Sequence, residues 1–238
     1  DLTDIVKDCG FGVFADAAGK GGTVRCITVE NAASIITRKE IDRLTEMVRG
    51  IGAKGLAWVR LNPDGIASSF SKFLSEDEMN ALLERAKASK GDVVLIIADR
   101  RKKRVLTTLG ALRLEIADKL KIKRDGYNPV WITDFPYFEW DEEQQQYVAM
   151  HHPFTAPLDE CVQHLESSPE KVFAKAYDLV LNGIELASGS IRITDSELQQ
   201  SMFKALGLSE SEIDEKFGFL IDAFKYGAPP HGGMALGL

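Results

Sequence analysis

The chain has 238 residues, of which 45% are hydrophobic and 27% charged, and its formal net charge is −7 at pH 7. These proportions are ordinary for a globular protein, and the length allows one large domain or two modest ones. The negative charge argues against a polybasic nucleic-acid coat or a membrane-surface helix, although a local basic patch stays compatible with RNA binding. No apolar run reaches the roughly 20 residues that span a bilayer. Three cysteines without a C-x-x-C pair predict neither a disulfide framework nor a thiolate zinc site, and they favour a reducing cytosol.

The first half of the chain alternates between strand and helix signals. Hydrophobic alternation and buried-type apolar runs predict strands, whereas Ser or Thr followed three residues later by Glu predicts the start of a helix. The predicted elements are strand 23–29, a helix opening at 37–40, strand 56–60, helix 75–89, strand 92–98 and helix 106–120. This order predicts an α+β unit of ferredoxin-like size at about 11–105, with the following helix as a bridge.

The second half predicts a mixed and mostly antiparallel unit. A polar, turn-rich stretch at 121–129 is the best linker candidate, so we expect two domains, 1–120 and 121–238. Asn182-Gly183 is typical of a tight hairpin turn. The other predicted elements are strands 130–136, 148–150, 176–181 and 190–193, helices opening at 194–197 and 209–212, and a rigid loop at 227–233.

Two acids stand on either side of the predicted hairpin turn. Asp178 and Glu185 would be brought together if the flanking strands pair. Neighbouring carboxylates repel each other unless a cation lies between them, and hard oxygen ligands suit Mg²⁺ shared with nucleotide phosphates. The alternative is that both acids are simply solvated near a hairpin.

Arg192 lies between two isoleucines and would point from one face of a strand. Arginine is the natural bidentate partner of a carboxylate, although an arginine on a wet sheet face fits equally. The pair His151-His152 would send one imidazole into a cleft while the other packs, or it is a structural pair. Small residues at 187–190 would let a ligand approach the backbone. Neither a phosphate-binding P-loop nor a zinc-type histidine motif is present in the sequence.

Longer strings resemble one known family. The strings FPxFE (135–139), MHHPFT (150–155), AYDLVLNG (176–183), ELASGSIRI (185–193) and KFGFLIDAFKYGAPPHGG (216–233) are similar to bacterial-type aspartyl-tRNA synthetases, and ALGL (235–238) is similar to the opening of their third class II motif. RKEIDRLTE (38–46) and AKGLAWVR (53–60) resemble the GAD-type domain that this family inserts between its second and third motifs. The likeness covers essentially the whole chain.

The resemblance implies a fold and an activity. The fold would be α+β, a ferredoxin-like inserted domain followed by part of a class II antiparallel-sheet catalytic domain. The enzyme would be a cytoplasmic, homodimeric aspartate–tRNA ligase that uses ATP and Mg²⁺ to form aspartyl-adenylate and transfers the aspartyl group to tRNA(Asp). The alternative function is a non-catalytic module that contacts tRNA or protein, for which the basic run 100–104 is the place to test.

The resemblance also assigns roles to particular residues. His151 and Arg192 would bind L-aspartate, with Arg192 on the side-chain carboxylate. Glu185 would contact ATP through Mg²⁺, with Asp178 as its metal-binding companion, while Gly237 and Leu238 would begin a nucleotide-binding motif. No residue here takes a catalytic role. The anticodon-binding barrel and the first two class II motifs are missing, so the sequence predicts an internal fragment that is inactive by itself.

Overall fold

The computed structural model describes residues 1–141 and 143–237, which form two compact units, Asp1–Arg124 and Asp125–Leu238. Both units are mixtures of helices and antiparallel sheets. The boundary between the units falls after Arg124, beside the predicted boundary at 120/121. The function of each unit stays a prediction at this point.

The first unit places helices on both faces of a four-stranded antiparallel sheet with the strand order β1-β4-β2-β3. Helices α3 and α5 cover one face through a core that includes Leu44 and Leu112, while α1, α2 and α4 cover the other. The elements are α1 (Thr3–Val6), α2 (Gly12–Gly19), β1 (Thr23–Val29), α3 (Arg38–Gly50), β2 (Ala57–Asn62), β3 (Gly65–Ser68), α4 (Glu76–Arg85), β4 (Val93–Asp99) and α5 (Lys102–Leu120).

The local signals of the first unit act largely as the sequence predicts. Thr37 caps α3 by accepting a hydrogen bond from the backbone of Glu40, and Ser75 and Glu78 form both halves of a capping box at α4. Two differences have local causes. Helix α4 ends at Arg85 rather than near 89, because Lys87 takes a left-handed conformation with φ 52°. The turn that follows β2 also continues into β3, an unpredicted strand too short to show alternation.

The second unit is built around a four-stranded antiparallel sheet with the order β12-β11-β10-β5, and two smaller two-stranded sheets pair β6 with β9 and β7 with β8. Its elements are β5 (Pro129–Ile132), β6 (Phe135–Pro136), β7 (Phe138–Asp141), β8 (Gln146–Ala149), β9 (Phe173–Ala174), β10 (Ala176–Leu181), β11 (Ile184–Ile191), α6 (Ser196–Ala205), α7 (Glu210–Phe224) and β12 (Gly232–Leu236), with short 3₁₀ helices at Asp159–His164 and Pro169–Lys171.

Three predicted elements of the second unit were placed wrongly, one of them the strand predicted at 190–193, which the structure has at Ile184–Ile191. The single strand predicted at 130–136 is divided, because Asp134 takes φ 57° and sends β6 into a different sheet from β5. Helix α6 is capped by Asp195, which accepts a hydrogen bond from the backbone of Leu198, rather than by Thr194. Ser209 and Glu212, in contrast, form the predicted capping box at α7.

The cores of the second unit lie beneath its smaller sheets and helices. One cluster surrounds Tyr137 and Met202. A second, largely aromatic cluster joins Phe154 to the α6–α7 pair through Phe203. Within residues 1–141 and 143–237, no helix has the length and apolar character needed to cross a membrane.

Candidate functional site

The β10–β11 hairpin positions the predicted acidic residues. Asn182 and Gly183 form its turn with φ values of 51° and 85°, which is the pair of positive φ angles that a type I′ turn requires. The Asn182 side chain accepts a hydrogen bond from the Asn128 backbone at 2.9 Å and donates one to the Gly126 carbonyl at 2.9 Å. The hairpin tip is therefore fixed to the segment that leads into β5.

The turn and a register shift together set the faces of this hairpin. The two-residue turn pairs Val180 with Glu185, and alternation then puts Glu185 on the face that carries Asp178, two residues before Val180. Leu186 is an extra residue in β11, so Asp178 pairs with Ser188 rather than with Ala187. The bulge therefore brings Ser188 onto the face of the two acids. The two acids share this face without being paired directly.

The electrostatics of Asp178 reflect this arrangement. Burial raises the pKa of Asp178, the negative charge of Glu185 raises it further, and His151 acts in the opposite direction. These three groups therefore lie close enough to sense one another. The two carboxylates supply part of the oxygen ligand set that a metal ion would need. In the described part of the chain, no group of three or more His, Cys, Asp or Glu side chains is placed to hold a metal ion.

The two adjacent histidines have different surroundings, as their positions predict. The His151 Nε2 atom lies 3.1 Å from the Pro136 carbonyl oxygen, and the ring packs edge-on against Phe135. Burial lowers the pKa of His151 below its ordinary value of 6.5. His152 packs instead on the ring of Phe154 at 5.2 Å. His151 is therefore the histidine that lies beside Asp178.

Arg192 lies just beyond the end of β11, because the strand covers Ile184–Ile191 rather than the predicted 190–193. It forms an isolated antiparallel bridge with Thr155. Its backbone donates a hydrogen bond to the His231 carbonyl at 3.0 Å. The positive charge of Arg192 acts on the hydroxyl of Tyr137, whose ring lies 6.0 Å from His151. Tyr137 therefore lies near Arg192 and also near His151, which in turn is close to Asp178.

The small residues of β11 have a packing role. A Cβ atom on Gly189 would lie 2.0 Å from the Gly233 carbonyl oxygen and 2.8 Å from the Tyr177 ring. Gly189 therefore allows β12 to approach, which is a structural reason beyond the predicted approach of a ligand. On the face of Asp178, short side chains lie on the β11 and β12 side, where Ser188 pairs with Ala235, while Ile132 of β5 pairs with Asp178 on the other side.

Of the two residues predicted to begin a nucleotide-binding motif, Gly237 directly follows β12. The Gly237 backbone donates a hydrogen bond to the Leu186 carbonyl at 2.9 Å, which places Gly237 beside the bulge that follows Glu185. Leu238 lies outside the described residues. Sequence reasoning missed Tyr137 and Thr155, which are buried and link these segments. The reason is that no residue-type signal distinguishes a buried hydroxyl at a site from any other buried hydroxyl.

The basic run at 100–104 is partly neutralised within its own unit. Arg100 forms an ion pair with Asp16 at 3.0 Å, and Arg104 forms one with the buried Asp99 at 3.1 Å. Such pairing weakens the attraction of this run for a phosphate backbone. The run is therefore a poor candidate for an RNA-binding patch.

Comparison with known protein families identifies the family to which this chain is related. The model of the tRNA synthetases class II (D, K and N) matches residues 24–238. The chain belongs to this family. The match spans both compact units, so the first unit is as much part of the class II synthetase match as the second.

Relatives within the class II synthetases are similar over the full length of the chain. An aspartate–tRNA ligase from Ruminiclostridium cellulolyticum is 53% identical over 240 residues, and an aspartate–tRNA(Asp/Asn) ligase from Caldanaerobacter subterraneus is 53% identical over 239 residues. Each alignment covers 100% of this chain and 40% of the relative. A solved aspartyl-tRNA synthetase from Entamoeba histolytica is 20% identical over 53% of this chain and 21% of its own, with a TM-score of 0.35, which is too low to compare folds.

Proposed function

We propose that the chain is part of an aspartate–tRNA ligase and that its second unit supplies one wall of the site that binds L-aspartate and ATP. The observation that carries this proposal is that Asp178 and Glu185 share one face of the hairpin with His151 close to Asp178, while Tyr137 lies near both His151 and Arg192. Such an arrangement offers a cation for a substrate carboxylate and carboxylates for a metal–nucleotide complex.

The roles follow from the chemistry of each group. Arg192 binds the side-chain carboxylate of L-aspartate, which discriminates against the uncharged amide of asparagine. His151 contacts the same amino acid. With the side chain held, the α-carboxylate is free to attack the α-phosphate of ATP in line, giving aspartyl-adenylate. The aspartyl group then passes to the terminal ribose of tRNA(Asp).

The nucleotide end of the site fits the same scheme. Asp178 and Glu185 are oxygen donors of the kind that Mg²⁺ accepts when phosphate oxygens and water complete its shell. Bound Mg²⁺ would neutralise charge on the phosphates. Gly237 and Leu238 begin the segment that contacts the nucleotide, and the position of Gly237 beside the bulge supports this assignment.

Residues 1–120, which make up nearly all of the first unit, are proposed to be the GAD-type inserted domain with its flanking helices, and residues 121–238 part of the catalytic domain. The order of elements, strand-helix-strand-strand-helix-strand, supports a ferredoxin-like assignment, although in this sheet β4 lies between β1 and β2. The whole enzyme is proposed to be a cytoplasmic homodimer. The chain spans about 40% of the length of its curated relatives, so these properties are proposed for the longer protein.

Binding of L-aspartate to the 238-residue chain, measured by NMR titration, tests the proposal. Arg192→Lys keeps the charge but loses the two-pronged contact with a carboxylate, so the dissociation constant is expected to rise about 10–100-fold. Arg49→Lys on α3 in the first unit is the matched control and leaves binding unchanged. Equal binding by both variants would contradict the role of Arg192.

Catalysis by the chain itself is expected to be absent, because it lacks the strings that resemble the first two class II motifs. No exchange of pyrophosphate into ATP should be detected when the purified chain is incubated with L-aspartate, ATP and Mg²⁺. Robust exchange would show that the remaining parts of the catalytic site are dispensable, and the assignment of roles would have to be revised.

A further inference from the structure

Hydrogen bonds link three buried residues from separate segments of the second unit into a chain, which runs through both the backbone carbonyl and the hydroxyl of Thr155. The Tyr137 hydroxyl donates a hydrogen bond to the Thr155 carbonyl at 2.9 Å. The Thr155 hydroxyl donates in turn to the Ser190 hydroxyl at 3.2 Å. The three residues are 0%, 2% and 6% exposed. Because buried polar groups are costly unless paired, this chain holds its three segments in one arrangement.

Two members of this hydrogen-bond chain contact the residues proposed to bind L-aspartate. The ring of His151 packs edge-on against Tyr137, with 6.0 Å between the ring centres and 74° between the planes. The backbone of Thr155, the middle member, bridges that of Arg192. Tyr137 and Thr155 therefore help to set the distance between the imidazole of His151 and the guanidinium of Arg192.

We propose that Tyr137, Thr155 and Ser190 are positioning residues that fix the spacing between His151 and Arg192, and that this spacing selects L-aspartate over L-glutamate. This inference rests on the proposed function of His151 and Arg192. The two amino acids carry the same charged groups and differ by one methylene, so charge alone cannot separate them. A site of fixed length can separate them. One methylene changes the discrimination between two substrates by about 10–200-fold in a closely fitting pocket.

Thr155 allows the sharpest substitution. Thr155→Val keeps the shape of the side chain but removes the hydrogen bond to Ser190, whereas Thr155→Ser keeps the hydroxyl and should restore the spacing. Thr108→Val is the matched control, because Thr108 is 0% exposed in the first unit and its hydroxyl lacks a hydrogen-bond partner among the described residues. Tyr137→Phe, which keeps the ring, is a second variant if Thr155→Val does not fold.

The experiment compares the dissociation constants of L-aspartate and L-glutamate for these variants by NMR. The preference for L-aspartate is expected to fall roughly tenfold in Thr155→Val, to return in Thr155→Ser and to stay unchanged in Thr108→Val. The ring signals of His151 are expected to shift in Thr155→Val without ligand, since losing the hydrogen bond to Ser190 frees the Thr155 backbone, whose carbonyl accepts the Tyr137 hydrogen bond.

Each contrary outcome has a distinct meaning. An unchanged preference or unchanged His151 ring signals in Thr155→Val would overturn the positioning inference while leaving the proposed function intact. An equal loss of preference in Thr108→Val would also overturn it, because the effect would then be general loosening. If the unsubstituted chain binds neither amino acid, the proposed function fails and the inference fails with it.

Discussion

At the scale of single residues, the site is defined by charges that are held in unfavourable surroundings. Asp178 is half-buried and faces a second carboxylate, so both its burial and Glu185 raise its pKa. His151 is half-buried and its pKa is lowered. Groups whose ionised forms are destabilised in this way are typical of binding sites for complementary charge.

The coupling between the two acids can be tested by substitution. Glu185→Gln removes the second-largest cause of the raised pKa of Asp178, so this pKa should fall, yet stay above the ordinary 3.8 because burial remains. An acid whose pKa is raised by folding adds stability at low pH that is lost as the pH rises through the folded-state pKa. The loss of stability takes place between the unfolded-state and the folded-state pKa of Asp178. Because Glu185→Gln brings these two pKa values closer together, it should narrow the pH range over which the free energy of unfolding decreases as the pH rises.

An NMR titration of the Asp178 carboxyl group and urea unfolding at several acidic pH values measure these two effects. Glu215→Gln on α7 is a control, because Glu215 is not among the charges that act on Asp178. An unchanged Asp178 pKa in Glu185→Gln would show that the hairpin does not bring the two acids together in solution.

At the scale of elements, the site depends on how closely β12 approaches β11. The Tyr177 side chain covers Gly189 from one side, and its hydroxyl donates a hydrogen bond at 3.1 Å to the same Gly233 carbonyl that Gly189 faces. Backbone atoms fill the space that a Cβ atom would need. The sheet can therefore include β12, and with it Gly237, only if this position has no side chain.

Gly189→Ala is expected to destabilise the second unit by about 1–3 kcal/mol, because the added methyl group forces the two backbones apart. Urea unfolding followed by tryptophan fluorescence measures the change. Gly218→Ala, in the middle of α7 with open space around its Cα atom, should instead be neutral or stabilise by up to about 1 kcal/mol. The same stability for both variants would contradict the close approach of β12.

At the scale of the whole molecule, the two units differ in how well their sheets are covered. Strand β4 lies between two neighbours, and six of its seven residues are buried. Strand β12 is at the edge of its sheet, and all five of its residues are exposed. Stability is therefore distributed unevenly, and the edge that carries Gly237 has less support than β4.

Hydrogen exchange should reveal this difference. We expect the amides of β4 to exchange only when the first unit unfolds as a whole, and those of β12 to exchange through a smaller opening of the second unit. Exchange followed by mass spectrometry or NMR over minutes to days provides the measurement. The amides of β10, which has strands on both sides, are the internal reference. Equally slow exchange in β12 and β4 would contradict the uneven distribution.

The sequence by itself determined the elements whose causes are local. Alternation marked β1 and β10 with the bounds that the structure has, and Ser75 and Ser209 fixed the starts of α4 and α7, since capping acts over three residues. Asn182-Gly183 fixed the hairpin for the same reason. The family likeness, which the comparisons confirm, came from the order of long strings, and the roles of the site residues stay proposals.

Only the tertiary structure decided how these elements share one face. The break at Asp134 and the bridge between Thr155 and Arg192 depend on partners distant in sequence, and the bulge at Leu186 depends on the pairing of β10 with β11. A period of two residues predicts which side chains alternate, but it cannot show where the register slips by one. The place of Ser188 opposite Asp178 and the contact between Tyr137 and His151 follow from packing across strands, so no local pattern contains them.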